Sequence, residues 1–198
     1  MTYAGTQTAD NAGDTMKSYA IWNNKGGVGK TYLSFAMACE YARQNPEKRI
    51  IFADMCPQAN LSEILLGGNG TGAANLASLI QQRKTVGGYF DRRTRSPHML
   101  TGSETSFLIH VSEINGHVPD NVFLIAGDPS LEVQAQVINQ LSSVNLPVDS
   151  WKSIHLCYEI CLLHVHNNKV SKKPFALLIA TPVSFAYTEL SLIAAMQL

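Results

Sequence analysis

Charge is scarce in this sequence and balanced in sign. Of 198 residues, 15 are Lys or Arg and 15 are Asp or Glu, so the formal net charge is zero and charged residues make up 15%. That balance excludes a global attraction to nucleic acid or to an acidic lipid surface, and any DNA contact has to come from a local patch. Long apolar runs are lacking too. No stretch approaches the ~20 residues of a membrane-spanning helix, and the first residues hold no signal-peptide core. The expectation is therefore no membrane span and a cytoplasmic protein. The cysteines Cys39, Cys56, Cys157 and Cys161 have no disulfide-framework spacing and are expected to stay reduced. A hydrophobic content of 45% describes a globular chain, and 198 residues suffice for one domain with a sizeable core.

What is present is organised around Asn23-Asn24-Lys25-Gly26-Gly27-Val28-Gly29-Lys30-Thr31. A short apolar run, Tyr19-Ala20-Ile21-Trp22, precedes it, and a helix-like segment from Tyr32 to Gln44 follows. A strand, a Gly-rich turn and a helix N-terminus together make a phosphate cradle. The glycines let backbone N–H groups converge on an anion, and the positive end of the helix dipole faces it. Lys30 is then placed to reach the terminal phosphates, and the Thr31 hydroxyl to ligate Mg²⁺. Nucleotide contacts are expected from Gly26, Gly27, Val28, Gly29, Lys30, Thr31 and Tyr32. The general P-loop pattern has Gly where this chain has Asn24; what it meets is a variant with an extra lysine, Lys25, before the double glycine. A Gly-rich turn with solvated lysines is the bland alternative, and the flanking strand and helix argue against it.

This box resembles the deviant Walker A motif of the ParA/MinD family of ATPases. The resemblance implies ATP and Mg²⁺ as cofactors and a nucleotide-dependent homodimer. It also implies that Lys25 reaches across that dimer to the partner's nucleotide as a catalytic residue, together with Lys30 and Asp54. The family role it implies is plasmid or chromosome partition with a ParB-like centromere-binding partner.

Along the chain, residues Met1 to Lys17 are small, polar and aperiodic and read as a flexible leader, with the nucleotide-binding domain over 18–198. The first strand is expected over Ser18 to Trp22. The helix after the P-loop carries Leu33, Ala36, Met37, Glu40 and Tyr41 at helical spacing and ends before Pro46. Arg49-Ile50-Ile51-Phe52-Ala53 is a continuous apolar strand of the kind buried in a parallel sheet. It runs into Asp54-Met55-Cys56-Pro57-Gln58-Ala59-Asn60-Leu61-Ser62. A carboxylate at a strand's C-terminal end sits on the ligand-binding edge of an open α/β sheet.

This second stretch resembles the ParA pattern Asp-x-Asp-Pro-Gln-x-Asn. By that resemblance Asp54 lies near the Mg²⁺ and the signature lysine, so the metal set is Thr31 and Asp54. The second aspartate of the pattern, which helps position the attacking water, is Cys56 here. A thiol at neutral pH carries no carboxylate charge and accepts hydrogen bonds weakly. Packing alone also accounts for a small buried thiol.

Helices are expected over Asn60–Leu66 and Ala73–Gln82, with a charged, turn-rich segment from Arg83 to Glu104. Its cluster Asp91-Arg92-Arg93-Thr94-Arg95 reads as a solvated face, with non-specific DNA contact as the sharper alternative. Phe107–Val111 and Val122–Ala126 read as strands. The latter leads into Gly127-Asp128-Pro129-Ser130-Leu131-Glu132, again similar to the ParA branch, where Asp128 or Ser130 is expected to cap a helix. In a helix candidate from Trp151 to Val165, Cys157, Cys161 and His164 fall at i, i+4 and i+7, which makes metal ligation conceivable. Ile154, Cys157, Cys161 and Leu162 also make an ordinary core stripe, the favoured reading because zinc sites gather paired ligands from separate segments. The last strand is expected over Phe175–Ala180. The family's Walker B aspartate falls at Ala180 when aligned from the strand, and at Ile179 when aligned back from Tyr187–Leu190; neither is acidic.

The fold expected is a P-loop α/β domain, a mostly parallel sheet with helices on both faces, matching the N-terminal part of a full family domain and truncated at its C-terminus. The function implied is an ATP-binding partition-type switch with ATPase activity weakened by the two missing acids. A non-hydrolytic nucleotide-binding scaffold is the second reading. A bacterial tyrosine kinase shares the deviant box and is the third, weakened because no Tyr-rich tail follows.

Overall fold

In the computed structural model, residues 2–4, 17–22, 27–95, 104–134, 136 and 175–180 are described. They form a six-stranded mixed sheet with strands β1 (Thr2–Ala4), β2 (Lys17–Trp22), β3 (Arg49–Asp54), β4 (Ile109–His110), β5 (Val122–Ile125) and β6 (Phe175–Ala180). The order across the sheet is β1-β2-β6-β3-β5-β4. The four central strands β2, β6, β3 and β5 run parallel, and β1 and β4 close the two edges antiparallel. The α-helices are α1 (Lys30–Gln44), α2 (Asn60–Leu65), α3 (Thr71–Gln81) and α4 (Val86–Arg95). No helix among the described residues is long and apolar enough to cross a membrane.

The apolar run predicted to be a buried strand is β3, in which Ile50, Ile51 and Phe52 are completely buried. Alternate residues of a strand face opposite sides. Ile50 and Phe52 join Val122 and Leu124 in a core shared with α1, α2 and α3. Ile51, Ala53 and Ile125, on the reverse side, are equally shielded, so both faces are covered along β3 and at the end of β5. Burial of each such side chain contributes roughly 1.5–3 kcal/mol.

Several expectations are corrected. The buried face of α1 is Ser34, Ala38, Cys39 and Ala42, whereas Met37 is exposed and Glu40 points outward. Small side chains at this spacing let the helix lie close on the sheet, and Phe35 and Tyr41 pack at the flanks. Residues 86–95, read as turn-rich, are helical. The Thr85 hydroxyl accepts from the Gly88 N–H at 3.2 Å as a cap, and Val86, Tyr89 and Phe90 are buried at helical spacing. The cluster Asp91–Arg95 is therefore on a helix, with Arg83 and Asp91 joined at 2.7 Å. The strand expected over Phe107–Val111 shrinks to Ile109–His110, set between 3₁₀ turns at Glu104–Phe107 and Val111–Glu113. Helix α3 begins at Thr71, two residues earlier than the apolar pattern suggested. Within the expected leader, Thr2–Ala4 pairs with Ala20–Trp22, as a Thr-Tyr pair with strand propensity can. The helix candidate Trp151–Val165 with Cys157, Cys161 and His164, and the segment after Ala180, lie outside the described residues.

One side chain fixes the turn between α1 and β3. Asn121 Nδ2 donates to the carbonyls of Ala42 at 3.0 Å, Asn45 at 3.0 Å and Lys48 at 2.8 Å. The Asn121 carbonyl in turn accepts from the Ile50 N–H at 2.8 Å. Removing the amide takes this donor from the Ala42 and Lys48 carbonyls, while the Asn45 carbonyl keeps the Lys48 N–H at 3.0 Å. Asn121→Ala is expected to lower unfolding free energy in urea by about 2 kcal/mol, and a loss below ~0.5 kcal/mol would contradict this role.

Candidate functional site

The carboxyl ends of the parallel strands lie on one edge of the sheet. There β2 leads into the Gly-rich turn, β3 ends at Asp54, β5 leads into Gly127-Asp128, and β6 ends at Ala180. The strand order places β6 between β2 and β3, so the register sets Ala180 beside Ile21 on one side and Asp54 on the other.

From Gly27 onward the turn has the conformation that a phosphate cradle needs. Gly27 has φ of 70° and Gly29 φ of 78° with ψ of 17°, a left-handed backbone in which side-chain-bearing residues are strained. Gly29 occupies the N-cap of α1, and its carbonyl accepts from the Leu33 N–H at 2.9 Å. No side chain caps this helix and no acidic residue stands in its first turn. The N–H groups of an uncapped first turn point outward, and the dipole adds partial positive charge. Ser34 satisfies a carbonyl further on, donating from Oγ to the Lys30 carbonyl at 2.8 Å. Lys30 and Thr31 are half-buried at the helix start, while Val28 and Tyr32 are exposed beside them, Tyr32 to 73%. The expected residues Lys25 and Gly26 lie outside the described residues.

Asp54 is completely buried. Its Oδ1 accepts from the Cys56 N–H at 3.1 Å, and its Oδ2 accepts from the Ser62 N–H at 2.9 Å and the Ser62 hydroxyl at 2.7 Å. The Ser62 hydroxyl also accepts from the Gly127 N–H at 2.9 Å. One carboxylate thus ties the end of β3 to α2 and, through Ser62, to the end of β5. Burial pushes the Asp54 carboxyl above the usual range, against the pull of its hydrogen bonds from Ser62 and Cys56. Gly127 is needed because a Cβ there would sit 2.9 Å from the Cys56 carbonyl and 3.1 Å from Asp54 Cγ.

Cys56 is half-buried two residues on. Burial raises its thiol first, Asp54 adds to this, and backbone hydrogen bonds and the Lys30 ammonium act the other way. Lys30, Asp54 and Cys56 therefore share one electrostatic neighbourhood, and the thiol stays protonated and a weak acceptor at neutral pH. Among the described residues no cluster of His, Cys, Asp and Glu makes a metal cage. Mg²⁺ in phosphate sites is commonly held by one or two protein oxygens plus the phosphates, so this does not disfavour Thr31 and Asp54.

Beyond the turn, Asp128 caps as expected. Its Oδ1 accepts from the Ser130 N–H at 2.7 Å, where residues 130–134 are helical, and its Oδ2 accepts from the Thr85 hydroxyl at 2.5 Å. Sequence reasoning gave no role to Ser62, Gly127 or Thr85. Only the pairing of β3 with β5 brings positions 62 and 127 together, and no local spacing signals it.

Comparison with known proteins places this geometry. A family profile described as AAA domain matches residues 16–149. The chain belongs to that family. Within it the glycine turn and the β3 carboxylate place the protein among the P-loop proteins of ParA/MinD type. The fold is similar to that of protein DIP2308 from Corynebacterium diphtheriae, with a TM-score of 0.64 at 20% identity, covering 88% of this chain and 56% of that one. It is also similar to apo McdA from Cyanothece, with a TM-score of 0.56 at 17% identity over 91% of this chain and 55% of that one. A third similar structure is cobyrinic acid a,c-diamide synthase from Mycobacterium smegmatis with a bound ATP analogue and magnesium. Its TM-score is 0.55 at 15% identity, over 89% of this chain and 55% of that one. The chain thus spans just over half the length of these P-loop structures. No curated protein matches it by sequence.

The raised Asp54 carboxyl has a definite sign in the nucleotide-free protein. A carboxyl whose folded pKa exceeds its unfolded value of about 3.9 stabilises the fold fully below that value, and the contribution is lost as pH rises through the folded pKa. Asp54→Asn does not titrate. The stability of the native chain relative to Asp54→Asn is expected to fall between pH 4 and neutrality (about the span above the unfolded pKa) in urea titrations, and a difference that grows with pH would contradict it.

Proposed function

We propose that this protein is a ParA-type ATP-binding switch in which Mg²⁺·ATP drives association of two copies. The observation that carries this reading is the left-handed Gly27–Gly29 turn running into the uncapped first turn of α1, beside the buried Asp54. The donor set fits the group: backbone N–H donors at a helix N-terminus, a lysine at its first position and a hydroxyl at its second. Gly27 to Thr31 would hold the phosphates, Lys30 their terminal charge, and Thr31 with Asp54 the Mg²⁺; Gly26 and Tyr32 complete the expected contacts. ATP supplies the transferable phosphoryl group and Mg²⁺ neutralises charge on it. Lys25 is assigned to the partner's nucleotide, which makes the site complete only in the dimer. Cytoplasmic location, partition of plasmid or chromosome and a ParB-like partner belong to this reading as the family's role.

A second reading has its own observation. The acids that would position water and metal read as Cys56 and Ala180, and the register puts Ala180 beside Asp54, where a Walker B carboxylate would act. Binding groups are retained while two positioning groups are replaced. The protein on this reading is a nucleotide-binding scaffold with turnover near background.

Two measurements test these readings. Lys30→Ala is expected to weaken Mg²⁺·ATP binding in calorimetry by roughly 2 kcal/mol, and equal affinity in both proteins would sink the phosphate cradle. Phosphate release at saturating ATP, with Lys30→Ala as the blank, is expected near background in the native chain and raised by Cys56→Asp with Ala180→Asp. Loss of one positioning group typically costs ~10²-fold in rate, so robust native turnover would end the scaffold reading.

A further inference from the structure

At the opposite edge of the sheet from the glycine turn, the strand starts open onto a cleft of about 480 Å³, within the usual size range of small-ligand sites. Arg49 begins β3, whose far end is Asp54; at ~3.3 Å per residue the two edges are roughly 17 Å apart, so the cleft is separate from the phosphate cradle. Its walls include Arg43, Lys48, Arg49, His110, Asp120 and Phe123. Register and the two-residue strand period put Arg49, Phe123 and His110 on one face of the sheet.

Two of the cations are held on aromatic rings. The Arg49 guanidinium lies over the Phe123 ring, 4.9 Å from its centroid, and the Lys48 ammonium lies 5.3 Å from the Tyr41 centroid while donating to Tyr41 Oη at 3.0 Å. His110 stacks on the same Phe123 ring at 4.7 Å with an interplanar angle of 12°. The other wall charges are balanced. Arg43 sits 3.6 Å from Glu40, and His110 meets Glu113 and Asp120, each at 3.1 Å. Among the described residues neither Lys48 nor Arg49 has a carboxylate within ion-pairing reach, although Arg49 is half-buried. A half-buried guanidinium without an anion is a costly arrangement, and its desolvation holds the Arg49 pKa down. Among the described residues Asp120 is the single carboxylate in the wall.

We infer that this cleft is a second anion site, which takes the phosphate of a small phosphomonoester between Lys48 and Arg49. Two preset cations match a dianion, whereas a simple carboxylate would leave one of them unneutralised. Arg49 offers its planar fork to two phosphate oxygens and Lys48 a point charge to the third. Asp120 lines the same cleft and offers a carboxylate acceptor for a hydroxyl of the esterified group, whereas both His110 ring nitrogens are already engaged by Glu113 and Asp120.

The test is a titration of the full chain with inorganic phosphate and, separately, with glycerol 2-phosphate, followed by calorimetry at low salt. Binding of both, tighter for the ester, is expected in the native protein and in Lys30→Ala. Arg49→Gln is expected to weaken both at least ~10-fold, since it removes a charge-assisted contact. Lys48→Gln, at a more exposed position, is expected to do the same and stands in if Arg49→Gln loses its circular-dichroism signature. Phosphate binding without an ester preference would show a site for the free anion and would overturn the phosphomonoester assignment. The site itself is overturned by equal affinity in the Arg49 and Lys48 variants, by loss of binding in Lys30→Ala alone, or by absence of saturable binding.

Discussion

A single buried carboxylate holds the functional edge of this molecule together. Asp54 has no solvent, yet its oxygens receive two hydrogen bonds from Ser62 and one from Cys56. Isolated burial of such a group would be expensive, and it is tolerated because donors converge on it from the turn that follows β3. The same Ser62 hydroxyl reaches Gly127, so the ends of two adjacent strands and the start of α2 form one hydrogen-bonded unit. The glycine turn follows β2, on the other side of β6. It is brought alongside because α1 packs on the sheet through small residues that allow close approach. The nucleotide edge is therefore rigid on the β3–β5 side and is shaped by left-handed glycines on the β2 side.

Much of this was legible in the residues, for reasons that differ by element. The run Ile50–Ala53 is apolar throughout and is followed by an acid, and with Arg49 and Asp54 it forms the strand and edge carboxylate that this pattern implies. Phe175–Ala180 behaved alike. Both are buried or central strands whose identity depends on few alternatives. The inward face of α1 is not legible from apolar spacing, because the sheet accepts Ser34, Ala38 and Ala42 and leaves Met37 outside. Helix α4 was hidden by Gly87-Gly88 and by the arginine cluster, both loop-like in isolation. Its capping by Thr85 and the docking of Thr85 on Asp128 are tertiary facts. The Asp54–Ser62–Gly127 connection was invisible for the same reason.

The site shows an uneven departure from the family's pattern. The features proposed to hold the phosphates are largely backbone-made: positive φ at Gly27 and Gly29 and an uncapped helix start. Such features need no functional side chain, but they do need glycine where φ is positive. Features that orient water or metal are single carboxylates, and two of these positions carry a thiol and a methyl group. The half-buried Cys56 packs where it lies, with its thiol held protonated by burial and by Asp54. On the proposed reading, binding and turnover draw on different kinds of atoms, and the two substituted positions belong to the second.

The place of β6 has a consequence for how the molecule assembles. It is the last strand along the described chain but sits in the centre of the sheet, paired with β2 on one side and β3 on the other. During synthesis, β2 and β3 emerge early and have no direct pairing with each other. β3 can pair only with β5, while β2 has only the short β1 beside it. The phosphate cradle and the Asp54 unit consequently belong to two separate pieces until β6 inserts between them. Closing that gap requires contacts of long sequence separation, which are slow to form because loop entropy has to be overcome first. The edges that β2 and β3 present in the meantime are open templates for strand addition, so a nascent chain of this protein has to be kept from pairing with another copy until its own central strand arrives.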